Sequence, residues 1–180
     1  MIKKLTLIIG FIICLSSCGK DYVYRIEGEL SNLEDQTVYA VFEKDNYKVV
    51  DTVACTKPGQ FQIDQNEAGF HCVTIFFADK EHWVTAYLEP GETVKITGDA
   101  NSPLLLQVKG GRTNDKLTAF KKKIAPLLTE LTNLSNSLNS KDLNDTIEET
   151  DIAARLANVN MQLSEEAIRY VKENPDEEVS

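Results

Sequence analysis

The feature that most constrains this chain is a change of hydrophobic period at Gly110-Gly111. Before it, from Tyr22 to Lys109, short apolar runs alternate with turn chemistry. The runs are Tyr22–Leu30, Thr37–Phe42, Val49–Cys55, Phe61–Ile63, His71–Phe77, Trp83–Leu88, Thr93–Thr97 and Leu104–Val108. Lys57-Pro58-Gly59 and Glu89-Pro90-Gly91-Glu92 each put a proline with preset φ before a glycine that tolerates positive φ, which is type II turn chemistry. Strands recurring about every ten residues, with no helical pattern between them, predict a β-sandwich or open barrel of about eight antiparallel strands. A parallel α/β sheet is excluded because it needs a crossover helix between strands.

After Gly110-Gly111 the period becomes helical. Leu117, Phe120, Ile124, Leu127, Leu131, Leu134 and Leu138 follow at alternating spacings of three and four, an a/d stripe. Thr113 or Asn114 is the expected N-cap, with Asp115 in the first turn. Pro126 falls inside the stripe, and an interior proline costs about 3 kcal/mol, so a kink or restart is expected there. Polar Asn139–Thr146 reads as a loop. Ile152, Leu156, Val159, Leu163 and Tyr170 form a second stripe on a helix over Thr150–Glu173, ended by Asn174-Pro175. The expectation is an α+β chain, with a β-sandwich over 18–110 and a helical hairpin over 111–180. The two stripes bury each other, or the Leu117–Leu138 stripe serves self-association or docks another domain.

The first residues set the compartment. Lys3 and Lys4 precede a nearly continuous apolar run, Leu5–Leu15, which is too short for a permanent span of roughly 20 residues and reads as a secretory signal over 1–17. The exit, Leu15-Ser16-Ser17-Cys18-Gly19, resembles the bacterial lipobox. That resemblance makes Cys18 the lipidated N-terminus of the mature protein and the membrane its first partner. Acyl chains contribute about 0.8 kcal/mol per buried methylene, so three would hold the protein firmly. Lys20-Asp21 is a weak version of surface-export signals, so a lipid anchor on the periplasmic side of the cell envelope is preferred.

Charge narrows the function. Nineteen basic against twenty-eight acidic residues give −9, and loss of Lys3 and Lys4 with the leader makes the mature chain more acidic still. Such a surface repels phosphate backbones and excludes nucleic-acid binding as the main activity.

Tyr24-Arg25-Ile26-Glu27-Gly28, Val50-Asp51-Thr52 before Gly59-Gln60-Phe61, the Leu88-Glu89-Pro90-Gly91-Glu92-Thr93-Val94 turn with Ile96-Thr97-Gly98-Asp99, and Val108-Lys109-Gly110-Gly111 before Asn114-Asp115-Lys116-Leu117 form an ordered set. With the lipobox, this order resembles the uncharacterised N-terminal β-sandwich domain of Bacteroidota lipoproteins of the thioredoxin-like, thiol:disulfide interchange type. The resemblance covers about Tyr22–Glu173. It implies a sandwich and helical pair preceding a thioredoxin-fold domain with Cys-x-x-Cys. No Cys-x-x-Cys occurs here, so no catalytic cysteine carries over. The chain is expected to be the non-catalytic accessory half, apparently stopping before a redox domain; the alternative is a stand-alone lipoprotein that binds a glycan or peptide.

Cys55 and Cys72 are the other mature cysteines. They are either a structural disulfide, closing a loop whose constraint is about 3 kcal/mol, or two buried thiols; their spacing does not suit a dithiol redox motif. His71 and His82, with Cys72, Asp79 and Glu81, lack zinc-ligand spacing, and no cofactor or metal is expected. Asp142–Thr146 begins like a calcium loop but has Ile147 where Gly is needed and Ala153 where Glu is needed. Tyr22, Tyr24, Phe70, Phe76, Phe77, Trp83 and Tyr87 are candidates for a ligand groove, with core packing the simpler role.

Overall fold

A computed structural model describes residues 22–34, 37–77, 81–139 and 146–175. Eight strands form two four-stranded sheets. They are β1 (Tyr24–Ser31), β2 (Thr37–Lys44), β3 (Tyr47–Ala54), β4 (Gln60–Gln65), β5 (Cys72–Phe76), β6 (Trp83–Tyr87), β7 (Thr93–Asp99) and β8 (Gln107–Lys109). One sheet has the order β4-β1-β7-β8 and the other β3-β2-β5-β6.

Strand alternation builds the core between the sheets. Tyr24, Ile26 and Leu30 of β1 point inward, as do Val38, Ala40 and Phe42 of β2, Val73 and Ile75 of β5, and Val94 and Ile96 of β7. Gly28 occupies the inward position between Ile26 and Leu30. It faces Phe61 of β4, whose ring fills the space a Cβ at 28 would need. The bulk missing from β1 is thus supplied by β4.

Three details differ from the expectation. The pairing is not wholly antiparallel, since β1 and β7 run parallel. The chain crosses to the second sheet between them, so no hairpin fixes their relative direction. Second, the last strand does not begin at Leu104: Pro103–Leu105 is a single 3-10 turn, started by a proline with no N–H to lose, and β8 is confined to Gln107–Lys109. Third, β2 and β3 extend to a two-residue Asp45-Asn46 turn, with Lys44 facing Tyr47.

The helical part has three helices where two were expected: α1 (Arg112–Lys123), α2 (Ala125–Asn139) and α3 (Thr146–Glu173). The stripe breaks at Ile124, the C-cap of α1. Pro126 then lies in the first turn of α2, where a missing N–H is tolerated. Leu134, Ile152 and Val159 are buried between α2 and α3, flanked by Leu127, Leu131, Leu138, Leu156 and Leu163. The Phe120 ring lies 4.6 Å from that of Tyr170, extending the seam onto α1. Phe120, Leu127, Leu131, Leu134 and Leu138 of the stripe thus meet α3 of the same chain. Leu117 is the exception: it lines a cavity with Thr85 and Tyr87.

Helix α1 closes one side of the sandwich, where the edge strands β6 and β8 would otherwise expose backbone. Asn114, 2% exposed, accepts from Tyr87 N–H at 2.9 Å and donates to Tyr87 C=O at 2.7 Å. One turn on, the Thr118 hydroxyl accepts from Val108 N–H at 3.0 Å and donates to Val108 C=O at 2.6 Å. Two helix side chains thus do what a neighbouring strand would do for β6 and β8. Among the described residues, no helix is long and apolar enough to cross a membrane.

Candidate functional site

The sandwich has two distinct ends. At the first, β1 begins at Tyr24 beside the end of β4 and the start of β7. The Glu89–Glu92 turn meets it there, with Gly91 N–H donating to Val23 C=O. Tyr24 OH accepts from Gly69 N–H at 3.0 Å, and the Phe70 ring packs against Tyr24 and Phe42. The opposite end carries the start of β2, the end of β5, the start of β6 and the Pro103–Leu105 turn, against which α2 packs.

Register fixes what the outer face of the β3-β2-β5-β6 sheet presents. Thr52, Tyr39, Phe76 and Trp83 stand in one row across the four strands, near the second end. Val50, Val41, Thr74 and Thr85 form the next row, and Lys48, Glu43, Cys72 and Tyr87 the third. The Phe76 and Trp83 rings are 6.2 Å apart with their planes at 38°, and Trp83 is 54% exposed. An indole this open costs apolar hydration that a ligand or partner would relieve.

A second apolar surface lies on α3. Its inner seam, Ile152 to Tyr170, faces α2 and α1. Ala154, Ala157, Met161, Ser164, Ile168 and Val171, again spaced three and four, run along roughly the opposite face. Met161 is 56%, Ile168 54% and Val171 61% exposed. The spacing was legible in sequence but was masked by the stronger leucine seam beside it. A third surface is polar: a groove of about 320 Å³ between Glu27 and Glu29 of β1, Gln60 and Gln62 of β4, and Lys95 and Thr97 of β7.

The residues singled out in the sequence are scattered over this frame. Cys18 and Asp79 lie outside the described residues. Cys55 and Cys72 are both half-buried and neither is in a disulfide. Cys72 is opposite Glu43, which is opposite Lys48, whereas Cys55 follows the far end of β3. They are therefore separated by about 23 Å along the strands, at ~3.3 Å per residue, and by two strand spacings. A disulfide needs Cα atoms within about 7 Å, so the bridge is corrected to two separate thiols. Burial, and secondarily the Glu43 carboxylate, push the Cys72 thiol above its ordinary pKa, which makes it a poor nucleophile.

His71 meets Asp45 through Nε2 at 2.7 Å on an exposed turn, and no group of metal-binding side chains gathers among the described residues. Of the candidate groove aromatics, Tyr24, Phe70 and Phe77 are core. Tyr22 stacks under the Arg25 guanidinium, 4.0 Å from its ring centre. Phe76, Trp83 and Tyr87 stand on the outer face, joined by Tyr39, which sequence patterning did not single out.

The sandwich with the first turn and a half of α1 coincides with a known family. The model of a domain of unknown function, DUF4369, matches residues 24–117, just over half of the chain. The chain belongs to the DUF4369 family. The match ends within α1, so the Asn114 clasp falls inside the DUF4369 unit and α2 and α3 fall outside it. No curated protein and no solved structure matches the chain.

Proposed function

We propose that this chain is the non-catalytic, N-terminal module of a cell-envelope lipoprotein related to the thiol:disulfide interchange lipoproteins its sequence resembles, and that it works by positioning a partner. The observation that carries this reading is the second stripe of α3, whose Met161, Ile168 and Val171 stay in solvent although α3 already buries a full seam. A helix with two apolar faces and one covered is built to receive a second element. The occupant we assign to it is a thioredoxin-fold domain following α3 in the same polypeptide.

The anchor supports this geometry. Cys18 precedes Tyr22 by four residues, a reach of at most about 14 Å. A lipid on Cys18 keeps the Tyr24 end of the sandwich close to the bilayer and leaves Trp83 and the α2–α3 hairpin on the side away from it. The sandwich then acts as a spacer between membrane and partner.

Ile168→Asp with Val171→Asp in the native lipoprotein tests this. The pair should leave helicity unchanged, because both side chains are exposed on this module, while increasing the hydrodynamic radius as the partner domain is released. An unchanged radius overturns the docking.

A second reading, a stand-alone lipoprotein binding a glycan or peptide, is favoured by the Tyr39–Phe76–Trp83 row. It predicts a saturable change in Trp83 fluorescence in a screen of oligosaccharides and peptides, lost in Phe76→Ala.

A further inference from the structure

Where α1 crosses the open side of the sandwich it leaves a crevice on each side of its Thr118–Lys121 step. One cavity, of about 220 Å³, is walled by Tyr87, Val108 and Leu117; the other, of about 240 Å³, by Leu105, Leu106 and Ala125. Thr118 and Lys121 line both, and Lys122 stands at the second. The hydroxyl of Thr118 is already engaged with Val108. The free polar function shared by the two cavities is therefore the Lys121 ammonium.

That ammonium is out of balance with its surroundings. Among the described residues it has no hydrogen-bond or ion-pair partner, and burial displaces its titration downward. Lys123, two residues on, shows the ordinary solution, reaching Glu166 at 3.5 Å. The chain is rich in acids, yet among the described residues none is set against Lys121. A half-buried cation without a counter-ion loses part of its hydration, and an anion entering the crevice would offset that loss. The walls are mixed, with Tyr87, Leu117, Leu105, Leu106 and Ala125 beside polar Thr85, Asn114, Gln107 and Thr129, so an incoming anion that also carries a short apolar body can bury it against the apolar side chains.

We propose that this crevice binds a carboxylate with a short apolar body, its charge on Lys121 and its body against Leu105, Leu106 and Ala125 or against Leu117 and Tyr87. The carboxylate could belong to a free small acid or to the side chain of a peptide; the recognition chemistry is the same, and the two sources are separated by experiment.

The test uses butyrate, butan-1-ol and a capped Leu-Glu-Leu tripeptide on the ¹⁵N-labelled full chain in detergent micelles. Butyrate should shift the amides of Thr85, Leu105 and Thr118 saturably and move the Lys121 titration back up. Butan-1-ol, of the same body but no charge, should bind at least about tenfold more weakly, the weight of one charge-assisted contact. Lys121→Arg should keep the response and Lys121→Met should abolish it with the fold intact. Tighter binding of the tripeptide than of butyrate assigns the site to a protein's acidic side chain, and weaker binding assigns it to a free acid. Absence of saturable shifts, equal binding of butan-1-ol, or an unchanged response in Lys121→Met overturns the proposal.

Discussion

Asn114 holds Tyr87 by both of its backbone groups, through an N–H···Oδ1 bond of 2.9 Å and an Nδ2–H···O bond of 2.7 Å. The same side chain donates to Gly110 C=O at 2.6 Å, tying the strand-to-helix joint to the edge of β6. Fixing α1 this way sets the direction in which the rest of the helical region leaves the sandwich.

Asn114→Leu keeps the volume but strands the Tyr87 N–H and C=O in a buried position. Each unpaired group costs about 1–3 kcal/mol, so a loss of about 2–6 kcal/mol is expected in urea unfolding. Thr118→Val, which unpairs the N–H and C=O of Val108 in the same manner, should likewise cost about 2–6 kcal/mol. Losses below half a kilocalorie for both would mean that water replaces the clasp.

Gly28→Ala places a methyl group into the Phe61 ring and should cost about 1–3 kcal/mol by overpacking. Phe61→Leu makes room, so the double variant should be less destabilised than the sum of the single ones. Additive effects in a thermal-melting cycle would show that the two sites do not meet.

The cysteines give a chemical check. Alkylation of the unfolded protein without reductant, followed by peptide mapping, should label Cys55 and Cys72 in full. Before unfolding, Cys72 should react more slowly than a free cysteine in a peptide, because burial holds its thiol protonated. A Cys55–Cys72 cross-linked peptide would contradict the register of β2, β3 and β5.

Much of the fold was legible in the sequence because strand alternation and Pro-Gly turns are local signals. Lys57-Pro58-Gly59 and Glu89-Pro90-Gly91 both end one strand and begin the next where expected. The parallel β1–β7 pairing was hidden because direction across a sheet is decided by crossovers far apart in sequence. Asn114 was visible as a candidate cap. Its actual use is non-local, since its partner Tyr87 lies twenty-seven residues away. The aromatic row was half legible: Trp83 and Phe76 stood out, but which face they share with Tyr39 follows from register alone. Both helical stripes were legible from their spacing, and of the alternatives left open for the first, the structure shows Leu127 to Leu138 packed on α3, while Leu117 turns to a cavity beside Tyr87.

Acid stability should carry a small signature of Arg25 and Asp64. The two form a bidentate pair at 2.6 and 2.7 Å, which holds the Asp64 carboxyl below its ordinary pKa. A depressed carboxylate contributes stability that is complete above its unfolded pKa of about 3.9 and disappears as pH falls through its lower folded value. The pair is partly solvated, so its contribution stays within about 1 kcal/mol. Asp64→Asn should lower stability at neutral pH by that amount and leave stability near pH 2 unchanged. A loss of equal size at both pH values would assign the effect to packing.

The size and location of the native protein in its own cells test the central claim most directly. An immunoblot with an antibody against residues 22–175 should detect a band near twice the 20.1 kDa of this chain, in the membrane fraction, with label from radioactive palmitate. A band slightly below 20.1 kDa would contradict the account of a module docking a redox domain in the same polypeptide, and the ligand-binding reading built on Trp83 would replace it.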